Sequence, residues 1–143
     1  MGKKRIVVKG ETESGGVASH QGSASKKRAL ERAVLYVEST YNNTRLTLTD
    51  EKGNTVAASS SGALGFRGAK KGTPFAAAKV GEAVAFKAQT MGIRDVSVVV
   101  KGVGSGRESS IRGFVNKGFT VLSIKDATPI PHNGPRPPRA RRV

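Results

Sequence analysis

Polar and apolar positions along the chain first show order at Ala33. Val34, Leu35, Tyr36 and Val37 form an apolar run that reaches Thr40 and Tyr41, and Asn42-Asn43 then marks a bend or bulge. Beyond it Leu46 and Leu48 are interleaved with Arg45, Thr47 and Thr49. That period of two predicts a half-buried strand, because successive strand side chains point to opposite faces. Asp50-Glu51-Lys52-Gly53-Asn54 has turn composition, with Gly53 free to take a positive φ. Thr55 to Ser60 returns as a third strand, completing an antiparallel meander.

The period then changes. Thr73-Pro74 reads as an N-cap followed by proline at the first helical position. Ala77, Val80, Val84, Ala88 and Met91 follow at spacings of three and four, the apolar stripe of a helix that Gly92 ends. Val96, Val98, Val99 and Val100 make a nearly continuous apolar run, which predicts a central strand covered on both faces. A Gly-rich loop, Gly102-Val103-Gly104-Ser105-Gly106, leads into a second helix from about Arg107 to Lys117. Gly118 closes that helix, and Phe119 to Ile124 makes a fifth strand. The order predicts one α/β domain over residues 33–126, with a mixed five-stranded sheet and two helices. Its last two strands would be parallel and joined by a right-handed crossover.

Both ends differ from this middle. Residues 1–32 predict a flexible basic arm, because Glu11 to Ser25 is rich in Gly, Ser, Glu and Thr and has too little apolar surface to offset ordering entropy. Residues 127–143 predict an extended tail: Pro129, Pro131, Pro135, Pro137 and Pro138 forbid a helix, and Arg136, Arg139, Arg141 and Arg142 make it basic.

Charge changes the picture most. The 143 residues carry 25 Lys plus Arg against 10 Asp plus Glu, a formal net charge of +15. Such a chain repels itself and attracts polyanions, so nucleic acid is the first candidate partner and an anionic membrane the second. No stretch approaches the ~20 apolar residues of a spanning helix. Met1 to Gly10 is basic but lacks the apolar core of a signal peptide, which points to an intracellular compartment. The chain has no Cys and so no thiolate metal site or disulfide framework. With no Trp, two Tyr and five Phe, it cannot build a stacking platform across several strands. Recognition of phosphates, sugars and RNA shape is expected instead.

Candidate chemistry narrows further. The glycines at 102, 104 and 106 fail the G-x-G-x-x-G dinucleotide pattern, which would require glycine where Arg107 stands. No Gly-Lys-Ser/Thr phosphate loop occurs either. Backbone N–H groups of Gly104 and its neighbours at a helix N-terminus, beside Ser105 and Arg107, would suit a phosphate oxygen; the alternative is a tight turn and nothing more. The loop from Ser61 to Thr73 carries Arg67, Lys70 and Lys71 with no acid, and favours RNA over a merely solvated surface. A catalytic constellation is lacking. His20 and His132 lie in the arm and the tail, and Asp50, Asp95 and Asp126 read as turn and strand-end residues rather than a two-metal nuclease site. No cofactor and no metal are expected.

Four motifs in order match one family. Thr40-Tyr41-Asn42-Asn43-Thr44; Gly65-Phe66-Arg67-Gly68 with Thr73-Pro74-Phe75-Ala76-Ala77; Lys101-Gly102 with Gly104-Ser105-Gly106-Arg107-Glu108-Ser109; and Asp126 with Thr128-Pro129-Ile130-Pro131-His132-Asn133-Gly134 and Arg136-Pro137-Pro138 resemble the ribosomal protein S-eleven family, bacterial type. The resemblance runs from about Ala33 to Val143. It implies a fold similar to ribonuclease H without the catalytic carboxylates. It also implies a structural role on the platform of the small ribosomal subunit, bound to 16S-type rRNA near the messenger exit path and the transfer-RNA exit site. Small-subunit proteins seven, eighteen and twenty-one would be its neighbours, on a cytoplasmic or organellar ribosome, with no membrane partner and no homo-oligomer.

By the same resemblance Arg67, Lys70, Lys71, Gly104, Arg107 and the tail would face rRNA. The chain departs from the family's usual pattern at Val103, where proline is common, and at Pro135, where cysteine is common. Neither departure removes a cation. Asn133-Gly134 could rearrange through a succinimide to isoaspartate, as the family's His-Asn-Gly segment suggests, or stay an ordinary turn. A free-standing basic RNA chaperone is the alternative function, and a nuclease of the same fold the third.

Overall fold

The structure, a computed structural model, describes residues 30–140. The expected arm lies almost wholly outside them, as do Arg141 and Arg142. The elements follow in the order β1 (Arg32–Ser39), β2 (Thr44–Thr49), β3 (Thr55–Ser60), a 3-10 helix (Gly68–Gly72), α1 (Pro74–Thr90), β4 (Asp95–Lys101), α2 (Arg107–Val115) and β5 (Thr120–Asp126). They form a single α/β domain whose five-stranded sheet has the order β3-β2-β1-β4-β5. β1 and β2, and β2 and β3, are antiparallel, while β4 runs parallel to both β1 and β5.

The helix starts where the sequence places it. Thr73 Oγ1 accepts a hydrogen bond from Ala76 N at 3.3 Å and itself donates to Lys70 O at 2.7 Å. Such a cap contributes about 1 kcal/mol. α1 buries Ala76, Ala77, Val80, Gly81, Val84, Ala85 and Ala88. It lies over β2 and β3, α2 lies over β1 and β2, and the two helices pack against each other. Glycines permit that crossing. A Cβ on Gly113 would come within 2.6 Å of Ala78 O, and one on Gly81 would overlap Ser110 O. Backbones therefore touch directly, and both helices fit on one face of the sheet. Beneath them Leu35, Val37, Leu46, Leu48, Val96 and Val98 are buried, each full burial contributing about 1.5–3 kcal/mol.

One expectation fails. The Val96–Val100 run predicts a central strand covered on both faces, yet β1 is central and β4 lies next to the edge strand β5. In β4 only alternate residues are buried: Val96, Val98 and Val100 face the helices, while Val99 is half-buried opposite Tyr36 of β1. The reason is topological. The crossovers from β3 to β4 and from β4 to β5 link parallel strands in the same direction across the sheet, so equal handedness puts both helices on one side. Boundaries shift as well. Leu30 packs against the core, and Glu31 O accepts from Arg94 N and Asp95 N at 3.2 Å each, so the folded unit reaches back before Ala33. Phe119 precedes β5 rather than opening it and stacks on Phe114 with ring centroids 4.3 Å apart.

Candidate nucleic-acid interface

β1, β3, β4 and β5 all end on the same side of the sheet, so the segments that follow them converge there. In open α/β sheets the carboxyl ends of the strands are where ligands bind. The four segments are the β1–β2 turn (40–43), the loop 61–73, the loop 102–106 and the start of the tail. Glycines bring them into backbone contact. A Cβ on Gly72 would overlap Tyr41 O, one on Gly102 would overlap Ser39 O, one on Gly104 would overlap Thr40 O, and one on Gly106 would overlap Thr44 Oγ1. Gly102 also has φ +95, a conformation open to glycine and strained for other residues.

Hydrogen bonds tie the same segments together. Gly104 N donates to Ser39 O at 2.9 Å, and Ser105 Oγ donates to Gly72 O at 2.7 Å. Gly102 N donates to Thr128 Oγ1 at 3.2 Å, and Ala127 N to Val100 O at 2.9 Å. Arg107 closes the assembly. Its Nη1 donates to Gly102 O at 2.6 Å and its Nη2 meets Asp126 Oδ2 at 2.6 Å. Asp126 in turn accepts from Thr128 Oγ1 at 2.6 Å and Thr128 N at 2.9 Å. The Thr128 hydroxyl and the Arg107 guanidinium together hold the Asp126 carboxyl well below the usual carboxylate range.

The sequence-predicted residues therefore separate into two groups. Gly104, Ser105 and Arg107 are engaged with the protein: Gly104 is buried, the Ser105 hydroxyl is spent on Gly72, and the Arg107 side chain is only 31% exposed. Arg67 and Lys70 are exposed and Lys71 half-exposed, on and before the 3-10 helix, with the side chains of Arg67, Lys70 and Lys71 in no salt bridge among the described residues. Residues 129–140 are exposed throughout and carry Arg136 and Arg139 outward. Asn133 has φ +54, the single positive φ outside glycine among the described residues, and a Cβ on Gly134 would lie 2.8 Å from Pro131 Cβ. The segment is thus a tight bend.

A profile of the family described as Ribosomal protein S11 matches residues 33–142. The chain belongs to the ribosomal protein S11 family. It is 52% identical over 118 residues to the small ribosomal subunit protein uS11 of Solibacter usitatus (strain Ellin6076), a span of 82% of this chain and 87% of that relative. The S11 match takes in both loops, the Arg107–Asp126 pair and the bend at Asn133, so the convergent strand ends lie wholly inside the family's span.

In this S11 chain two of the three carboxylates expected at strand ends, Asp50 and Asp126, have a local role. Asp50 accepts from Asn54 N at 2.8 Å and from Asn54 Nδ2 at 2.9 Å, fixing the β2–β3 turn, and Asp126 holds Arg107 and Thr128. Among the described residues no group of three His, Cys, Asp or Glu side chains gathers as a metal site. Sequence reasoning missed the 3-10 helix Gly68–Gly72 and the ion pair that joins Arg107 to Asp126 across 19 residues of sequence. Asp126-x-Thr128 was the available signal, since an Asp accepting from the residue two positions on is a common turn device.

Proposed function

We propose that the chain is a structural constituent of the small ribosomal subunit, binding and positioning 16S-type rRNA through the joined strand-end loops and the tail. The observation that carries this is the fixed cluster of segments presenting Arg67, Lys70 and Lys71 beside a tail anchored by Arg107 and Asp126. Glycine contacts pre-organise the loops, so little conformational entropy is lost when phosphates are bound. Gly104, Ser105 and Arg107 act mainly by holding the loops, while Arg67, Lys70, Lys71, Arg136, Arg139, Arg141 and Arg142 meet the RNA. Family membership supports a proposed location on the platform, near the messenger exit path and transfer-RNA exit site of a cytoplasmic ribosome and beside small-subunit proteins seven, eighteen and twenty-one.

The bend at Asn133 is a second element of this reading. With no side chain on Gly134 to shield it, the Gly134 nitrogen would attack the Asn133 side-chain amide carbon and expel ammonia, and water would open the resulting succinimide to aspartate or, more often, isoaspartate, whose carboxylate could pair with Arg136. Peptide mapping of the chain from assembled subunits, with labelling by an isoaspartyl methyltransferase, is expected to mark this peptide. Intact Asn133 in mature subunits would leave an ordinary turn.

The functional reading is tested by sedimenting small subunits that carry the tagged chain through a high-salt gradient. The chain is expected to stay with the subunit. Quantitative stripping into the top fractions would instead support a free-standing RNA chaperone.

A further inference from the structure

The geometry points to Tyr41 as a stacking site for one unpaired RNA base, mounted on the β1–β2 turn; the inference rests on the RNA-binding reading above. Tyr41 is 78% exposed, the same exposure as Ile130 in the tail and the highest among the large apolar side chains described. Its ring has no aromatic or cation partner among the described residues. Tyr36, by contrast, is half-buried on the open sheet face with Lys101 Nζ 5.8 Å from its centroid.

The mount under Tyr41 is rigid on both sides. Within the turn, Thr40 N donates to Asn43 O at 2.9 Å, Thr40 Oγ1 to the same oxygen at 3.0 Å, and Asn43 N to Thr40 Oγ1 at 3.1 Å. From outside, the Tyr41 carbonyl packs on the bare Cα of Gly72, whose own carbonyl accepts the Ser105 hydroxyl at 2.7 Å. A tyrosine has only two side-chain torsions to freeze, so a fixed backbone presents its ring at low entropic cost.

The neighbourhood suits a nucleotide. Lys70 and Lys71 immediately precede Gly72, and neither 39–49 nor 61–73 contains an acid. The nearby Asp126 carboxylate is paired with Arg107. A base lying on the ring would therefore place its flanking phosphates beside cations with no opposing charge. Unpaired bases in RNA loops are commonly held in this way, by an aromatic face with basic neighbours. The occupant is an unpaired base of rRNA, and stacking alone is tolerant of which base it is.

Because the chain has no Trp, Tyr41→Trp installs a single indole reporter at the site. Protein-free 16S-type rRNA is titrated into full-length Tyr41→Trp, and binding is measured for the native chain, Tyr41→Phe and Tyr41→Leu with circular dichroism as the folding control. Stacking predicts quenched indole emission that becomes shielded from acrylamide. It also predicts native-like binding by Tyr41→Phe, and a loss on the order of tenfold for Tyr41→Leu with an unchanged salt slope. Unquenched emission at saturation, or native affinity in Tyr41→Leu while binding stays steeply salt-dependent, overturns the stacking site and leaves the phosphate-led reading standing. Emission that changes only in assembled subunits and not on rRNA assigns Tyr41 to a protein neighbour and also overturns it. Failure of every variant and the native chain to bind rRNA would instead overturn the RNA-binding reading itself.

Discussion

Arg107 shows how residue type and residue role part company. Its place after a Gly-rich loop and at a helix N-terminus suggests a phosphate ligand, yet its guanidinium spans Gly102 O and Asp126. No spacing rule reveals a partner 19 residues away, because the pairing exists only once β4 and β5 lie side by side. The clamp makes a prediction opposite in sign to simple electrostatics. Asp126→Asn removes a negative charge, which alone would tighten binding to RNA, but it also frees Arg107 and the Thr128 hydroxyl. Weaker binding is expected, by a few-fold, measured by filter binding to rRNA at fixed salt. Acidity should act late: the Asp126 pKa is lowered by Thr128 and Arg107, so its contribution is complete at neutral pH and is lost only as pH falls through that depressed value. An NMR titration of the Asp126 carboxyl carbon is expected to stay flat from pH 8 down through about 3.9, the reference Asp value.

At the scale of elements, alternation and capping made most of the sheet and α1 legible. β3 matches the expected Thr55 to Ser60, and α1 begins behind Thr73 as its Thr-Pro signal implies. Hydrophobicity alone could not show that β4 has one open face, because valines suit a half-buried strand as well as a buried one. Nor did the helix pattern show the crossing at Gly81 and Gly113, whose neighbours are on another helix. Gly81→Ala should gain up to about 1 kcal/mol of helix propensity. The new methyl would overlap Ser110 O, however, and overpacking costs about 1–3 kcal/mol, so backbone separation should dominate. A lowered urea midpoint with unchanged m-value is expected. Removal of residues 134–143 tests the tail separately. No strand or helix lies in 134–140, so the thermal midpoint should hold while incorporation into subunits falls. A truncated chain that unfolds, or that assembles like the full one, would contradict this division of labour.

For the whole molecule, a net charge of +15 on 143 residues was the strongest single signal of a polyanionic partner, and four motifs in order identified the family. The physical construction of the interface was hidden, since glycine contacts between segments 31 to 64 residues apart in sequence leave no local pattern. The central claim is that phosphate contacts from pre-organised loops and tail dominate binding. Its most direct test is the affinity of the full chain for 16S-type rRNA across a salt series. Each neutralised phosphate contributes about −0.7 to −0.9 to the log–log slope, so several contacts predict a slope steeper than about −4. An affinity that barely changes between low and moderate salt would contradict the account.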